Sequence, residues 1–101
     1  MPKIFEYLGL VLFFYANEHE PIHVHARKGE FETKAELILV EGAVVEIRLK
    51  NVKGFKPLKG DNLKHFKKFL ESYADSIVKK WIDFFVLKKN VQFEKITKKI
   101  K

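Results

Sequence analysis

Three of the four histidines lie close together in the sequence, at His19, His23 and His25. The segment from Ile22 to Arg27 alternates apolar and polar residues, a pattern that predicts a β-strand. Since side chains two apart on a strand share a face, we expect His23, His25 and Arg27 on its polar side. An imidazole in such a place can exchange protons near neutral pH or bind a metal ion.

A second alternating segment, Glu30 to Val40, is expected to pair with this strand. A tight turn at Lys28-Gly29 would join the two, because glycine tolerates the positive φ that such turns need. This register places His25 directly opposite Glu32, with the charged side chains of the second strand facing outward. The sequence therefore predicts an imidazole beside a carboxylate.

This pair has three possible uses. As a catalytic site, His25 would act as a general base oriented by Glu32, and Arg27 or a loop lysine would stabilise charge on a phosphate. His23 belongs to the same candidate site because it shares the face. As a metal site, His23 and His25 would ligate zinc or another divalent first-row ion, with His19, Glu20 or Glu32 as the third ligand. The third interpretation is that the imidazoles are half-exposed residues with a structural or docking role.

A basic loop forms a second candidate site. Between Glu46 and Asp61 the sequence has no acidic residue. Lysines with an aromatic ring among them can contact phosphates and stack on a base, which predicts a nucleic-acid interface. The alternative is a solvated loop whose aromatic ring folds back onto the core, and the lysine-rich C-terminal tail has the same two interpretations. The candidate residues of the loop are Lys50, Lys53, Phe55, Lys56 and Lys59.

The elements that must position these residues follow from periodicity. Ile4 to Ala16 is apolar on both faces, which predicts one central strand. Glu41-Gly42 predicts a further turn, and Val44 to Leu49 a further strand. Together with the segments Ile22 to Arg27 and Glu30 to Val40, these give an antiparallel sheet of about four strands.

One long amphipathic helix is predicted after the basic loop, from an N-cap at Asp61 to about Leu87, with Asn90 ending it. Trp81 is expected to be buried in its apolar stripe, and His65 to lie on the surface at the edge of that stripe. A short last strand is predicted over 91–96. The expected fold is a single α+β domain over residues 1–101 with a basic C-terminal tail. The stripe consists of Leu63, Phe66, Leu70, Tyr73, Ile77, Trp81 and Phe84.

Composition excludes several classes of protein. The chain has no cysteine, which excludes disulfides, thiolate metal sites and thiol nucleophiles. Its net charge of +7 favours polyanionic partners. The longest apolar run, Leu8 to Ala16, falls well short of the roughly 20 residues that span a bilayer, and the N-terminus lacks the pattern of a signal peptide. We therefore expect a cytoplasmic protein with no membrane partner.

The segment from Phe14 to Ala26 resembles the signature of the prokaryotic domain-of-unknown-function family 4160. In that signature an aromatic strand is followed by an Asn/Asp-rich turn, a proline and a His-x-His pair. The N-terminal ten residues, the helix that carries Trp81 and the segment 93–96 are also similar. The lysine-rich loop and the longer, more basic C-terminus depart from the family pattern. The residues that match the motif are Asn17, Pro21, His23 and His25.

The resemblance implies a partner and a role, but no catalytic mechanism. Members of the family are small stand-alone proteins often encoded beside a second small protein, and some are described as toxin components of toxin–antitoxin pairs. This implies a cognate small-protein partner and an RNA-directed role. The overall prediction is a small basic protein of the toxin–antitoxin type that binds or acts on RNA. The alternatives are a non-catalytic protein-interaction module and a histidine-based metal-binding domain.

Overall fold

The computed structural model describes residues 2–15 and 21–101, and in that part of the chain six strands form one sheet beside one α-helix. The order of the strands in the sheet is β5-β4-β3-β2-β1-β6. Neighbours are antiparallel except β1 and β6, which are parallel. The α+β class is confirmed, and the predicted number of about four strands is too low. The elements are β1 Lys3–Tyr7, β2 Leu10–Phe13, β3 Ile22–Lys28, β4 Phe31–Val40, β5 Ala43–Asn51, α1 Gly60–Trp81, a π-helical turn Ile82–Val86 and β6 Glu94–Ile96.

The first apolar run folds as a hairpin, and the single strand predicted for Ile4 to Ala16 is wrong. Leu8 and Gly9 form the turn between β1 and β2, with φ values of 49° and 84°. Positive φ at both central residues matches a type I′ turn, which glycine adopts freely and leucine does not. Because the segment is apolar on both faces, it carries no alternation that would reveal such a turn, so periodicity missed it.

The hairpin between β3 and β4 turns one residue later than the predicted Lys28-Gly29. Lys28 pairs with Phe31, which leaves Gly29 and Glu30 as the two central residues. Gly29 has a φ of 61°. A glycine with positive φ at the first central position is the requirement of a type II′ turn, so the sequence does fit this turn.

The later turn changes the cross-strand partners by two residues. Lys34 pairs with His25, and Glu32 pairs with Arg27, where the predicted register had His25 opposite Glu32. A shift of two keeps every side chain on its predicted face, whereas a shift of one would reverse them all. The polar set of β3 therefore stays together on one side of the sheet.

Pairing also fixes which side of the sheet faces the helix. Phe5 of β1 packs against Phe69 of α1, with 5.1 Å between ring centroids, and it pairs with Leu12 of β2. Paired residues share a face, so Leu12 also points to α1 and its neighbours on β2 point away. We call the side away from α1 the polar face. It carries His23, His25, Arg27, Glu32, Lys34, Glu36, Arg48 and Lys50.

The helix departs from the prediction at its start, whereas its predicted end near Leu87 agrees with the structure. It begins at Gly60 with Lys59 as N-cap and no capping side chain, so the predicted cap at Asp61 is wrong. Its α-helical part ends at Trp81, and the π-helical turn continues it to Val86. The backbone is non-helical at one position inside, Tyr73, where the two helical parts meet at a kink. No helix of the described residues is long and apolar enough to cross a membrane.

The helical stripe is core, as predicted. Trp81 is 5% exposed, and Phe66, Leu70 and Ile77 are buried as well. Phe69, which the predicted stripe left out, is also buried. Burial of this stripe against β1 and its neighbours is the main apolar contact between helix and sheet.

The last strand and the tail lie along β1. The predicted strand over 91–96 forms only at Glu94–Ile96. The backbone N–H of Ile100 donates to the hydroxyl of Tyr7 at 2.9 Å, which holds the tail against the core. His65 is half-buried rather than on the surface, with its ring edge-on to Tyr7 at 6.2 Å between centroids.

Candidate functional site

The carboxylate of Glu32 is the centre of the polar face, and it is fully buried. One oxygen, Oε2, accepts hydrogen bonds from His25 Nδ1 at 3.0 Å and from the hydroxyl of Tyr15 at 3.1 Å. The other, Oε1, accepts from Arg27 Nε at 2.7 Å. Burying a carboxylate is strongly unfavourable unless it is paired with an opposite charge and hydrogen-bonded. These three donors supply both the opposite charge and the hydrogen bonds.

Three strands bring these donors to one point. Arg27 lies directly opposite Glu32 on β3. His25 is one step further along the same face of β3, a diagonal neighbour that a long glutamate side chain can reach. Tyr15 follows β2, the next strand of the sheet. The contact between His25 and Glu32 is therefore present, although the direct pairing predicted for them is not.

Aromatic rings hold the imidazole and the guanidinium in place. The ring of His25 stacks on Phe13 with 5.5 Å between centroids and an interplanar angle of 22°, and it meets Tyr15 edge-on at 4.3 Å. The guanidinium of Arg27 lies over two rings, Phe13 at 5.2 Å and Phe55 at 4.6 Å. His25 is 4% exposed, so the interpretation of it as a half-exposed residue is wrong. Glu32 lies on the face that alternation predicted for it, but there it is fully buried.

The pKa values of two of these donors, Tyr15 and Arg27, are raised at this site. Burial and then the hydrogen bond to Glu32 raise the pKa of Tyr15 above its ordinary value. The hydrogen bond to Glu32 raises the pKa of Arg27 as well. Both groups therefore keep their protons through neutral pH and remain donors to the carboxylate.

His23 lies beside His25, with 5.6 Å between the two ring centroids. Its Nδ1 is 2.7 Å from the carbonyl oxygen of Pro21 and donates to it. Both histidines thus have Nδ1 hydrogen-bonded to an acceptor, which fixes the orientation of each ring. His23 is 9% exposed, so it is also more buried than expected.

Two imidazoles held through Nδ1 are also what a metal site would use, because ligating histidines are commonly fixed by a second hydrogen bond. Among residues 2–15 and 21–101, no group of three or more histidine or acidic side chains is arranged to hold a metal ion. Of the predicted ligands, the structure describes His23, His25 and Glu32. The others, His19 and Glu20, lie outside the described residues.

The basic loop docks against the polar face instead of projecting from it. Lys56 accepts a backbone hydrogen bond from Glu32 at 2.8 Å, and its side chain forms an exposed ion pair with Glu30 at 3.4 Å. Phe55 is half-buried under Arg27. The loop therefore covers one edge of the site, and part of the Phe55 ring stays exposed.

The other loop lysines differ in their surroundings. Lys59 lies over the ring of Phe31, with its ammonium 5.5 Å from the centroid. Lys53 is exposed, and Lys50 is exposed at the end of β5 on the polar face. Lys50 pairs directly with Lys34, and that residue lies next to His25.

Sequence reasoning missed three residues of this site: Tyr15, Phe13 and Lys34. The first two share a face by simple alternation, and they contact His25 because β2 pairs with β3. That pairing could be read from the sequence only if the turn at Gly9 had been recognised. Lys34 was missed because the predicted register placed Glu32, and not Lys34, opposite His25.

The sheet, helix α1 and this histidine–glutamate pair define an α+β protein with a polar site on the sheet face away from the helix. A family model described as Domain of unknown function (DUF4160) matches residues 9–82. Because the match covers more than half of the chain, the protein belongs to this family, and the matched segment contains the whole Glu32 site. No curated protein and no solved structure is significantly similar to the chain.

Proposed function

We propose that this protein binds single-stranded RNA on its polar face and cleaves it, with His25 as the general base. The observation that carries the proposal is the buried Glu32 carboxylate, which orients the imidazole of His25 and the guanidinium of Arg27 together. A carboxylate-held imidazole is a typical general base, and an adjacent guanidinium suits the charge of a phosphate.

The proposed reaction uses the 2′-hydroxyl of RNA. His25 takes the proton of that hydroxyl while the 2′-oxygen forms a bond to phosphorus. The bond from phosphorus to the 5′-oxygen breaks, and water protonates the leaving oxygen, so the products are a 2′,3′-cyclic phosphate and a 5′-hydroxyl. Arg27 stabilises the added negative charge on the phosphoryl oxygens, and Glu32 stabilises the imidazolium that forms.

Charge supports RNA as the ligand. The net charge is +7, and each lysine that neutralises a phosphate adds affinity by releasing a counterion. The loop contacts the site through Phe55 and the backbone of Lys56, and it carries the exposed lysines Lys53 and Lys56. In this proposal the protein acts in the cytoplasm as a toxin–antitoxin component, and a cognate small protein restrains it.

A second function, a non-catalytic interaction module, is favoured by the low exposure of the site. His25 is 4% exposed and Glu32 is fully buried, as expected of a polar network that holds a hairpin in shape. In that case the polar face docks a protein partner, and no bond is broken.

Cleavage of an end-labelled, unstructured RNA separates the two functions. We expect the wild type to cleave it, the same sequence with 2′-deoxyribose to remain intact, and His25→Gln to lose at least 10²-fold in rate. The matched control is His65→Gln, since His65 lies on α1 away from the polar face, and it should keep wild-type activity. An inactive wild type whose His23 or His25 variants release a co-purified small protein would support the interaction module. A protein that loses thermal stability on chelation and regains it with Zn²⁺ would support the metal-binding alternative.

A further inference from the structure

A row of four paired residues crosses the polar face next to the Glu32 site. Phe13 pairs with His25, His25 with Lys34, and Lys34 with Lys50. The last pair places two lysines directly opposite each other on β4 and β5. Directly opposite side chains leave their strands about 5 Å apart, and like charges at that spacing destabilise a sheet.

The acidic residues nearest to this lysine pair are engaged elsewhere. Glu32 and Glu36 flank Lys34 on the same face of β4. Glu32 is the acceptor for His25, Arg27 and Tyr15. Glu36 pairs with Arg48, whose charge it helps to stabilise. Within residues 2–15 and 21–101, neither lysine forms an ion pair.

The neighbouring row is matched in charge. Glu36 lies opposite Arg48, and Arg48 also forms an exposed ion pair with Glu46 at 2.7 Å. Opposite charges are therefore paired on these same two strands, two residues away. The like-charged pair lies beside the candidate site, whereas the neighbouring pair on the same two strands carries opposite charges. A departure from charge matching beside a candidate site points to a functional reason.

We propose that Lys34 and Lys50 form a phosphate-binding subsite, which takes a phosphodiester of the RNA strand adjacent to the one at His25. This inference rests on the proposed function. An anion between the two ammonium groups replaces their repulsion with two attractive contacts. The subsite begins on the strand next to that of His25, and neighbouring strands lie about 4.8 Å apart. It extends from there to the edge of the sheet at β5.

The test is the salt dependence of RNA binding, measured by fluorescence anisotropy with a labelled oligouridylate. Each phosphate contact on a single strand contributes about 0.7 to the slope of log affinity against log salt. The double variant Lys34→Gln/Lys50→Gln should therefore have a slope shallower by about 1.4. The control Lys68→Gln, an exposed lysine of α1, should keep the wild-type slope.

Thermal melting without RNA gives a second readout. Lys50→Glu should melt at a higher temperature than the wild type, because it faces Lys34 with the opposite charge, and it should bind RNA more weakly. A merely structural lysine pair would not combine a gain in stability with a loss of affinity. If the half-buried Lys34 does not tolerate substitution, Lys50→Gln at the exposed edge strand should reduce the slope by about 0.7.

The outcomes separate this inference from the proposed function. A double variant with wild-type slope and affinity overturns the subsite and leaves RNA binding intact. A wild type that binds no RNA at low ionic strength overturns both. A loss of slope in the double variant together with full cleavage at low salt supports the subsite as a binding element distinct from His25.

Discussion

Arg27 and Glu32 face each other directly across the β3–β4 hairpin, and their side chains meet at 2.7 Å with the carboxylate fully buried. The same carboxylate is the acceptor for His25, which lies on the diagonal. The hairpin register and the geometry of the candidate site therefore depend on each other.

Glu32→Ala should be strongly destabilising, because it leaves Arg27, His25 and Tyr15 without their shared acceptor. Removal of one member of a buried charge pair costs on the order of 3 kcal/mol in the free energy of unfolding. Urea denaturation would measure it. The control is Glu46→Ala, which removes the exposed partner of Arg48 and should leave stability nearly unchanged. Equal stability of the two variants would contradict a paired, buried carboxylate.

Alkaline pH should weaken the fold through Tyr15. Its pKa in the folded protein is raised above the ordinary 10.0, so the folded state holds the phenolic proton more tightly than the unfolded state does. The stabilisation is therefore complete below about pH 10 and is lost as the pH rises through the folded pKa. Tyr15→Phe removes this contribution to the pH dependence.

Denaturation at a series of alkaline pH values would test this prediction. Wild-type stability should fall more steeply than that of Tyr15→Phe. Tyr73→Phe is the control, since Tyr73 packs against Phe69 on the helix side of the sheet and should keep the wild-type profile. Superimposable profiles of the wild type and Tyr15→Phe would contradict the raised pKa of Tyr15, which burial and the hydrogen bond to Glu32 cause.

Trp81→Ala should cost about 3 to 5 kcal/mol in the free energy of unfolding, because the side chain is 5% exposed and its removal leaves a cavity. Trp81→Phe should cost clearly less. Among residues 2–15 and 21–101 the buried Nε1–H of Trp81 has no hydrogen-bond partner, and phenylalanine removes that donor while keeping a ring against Phe85. Denaturant titration would compare the variants. Native emission at the wavelength of free tryptophan would contradict the packing.

Alternation predicted the faces of the sheet correctly, because a face depends only on whether positions are odd or even. His23, His25 and Arg27 share a side as expected, and they kept it when the hairpin register moved by two. Partners depend on the turn, and Gly29 could serve either as the first or as the second central residue. The sequence therefore predicted the set of polar side chains better than their pairing.

Burial of the site could not be derived from β3 and β4 alone. Glu32 is buried because residues from other segments approach it, among them Tyr15 after β2 and Phe55 in the basic loop. The apolar run before Tyr15 hides the turn at Gly9, and the loop has no periodicity that would place Phe55. Long-range packing of this kind is decided by the whole fold.

Substitutions in the loop and at His25 should separate RNA binding from cleavage. Lys53→Gln/Lys56→Gln removes two exposed charges beside the site and should make the salt slope of RNA binding shallower by up to about 1.4. Lys56 already pairs with Glu30, so the larger share is expected from Lys53. His25→Gln should instead leave affinity within about twofold and abolish cleavage, because a general base acts mainly on the transition state. Anisotropy titrations and single-turnover cleavage on the same RNA measure both effects. A His25 variant that loses affinity and activity in equal proportion would assign His25 to binding, and the general-base role would be wrong.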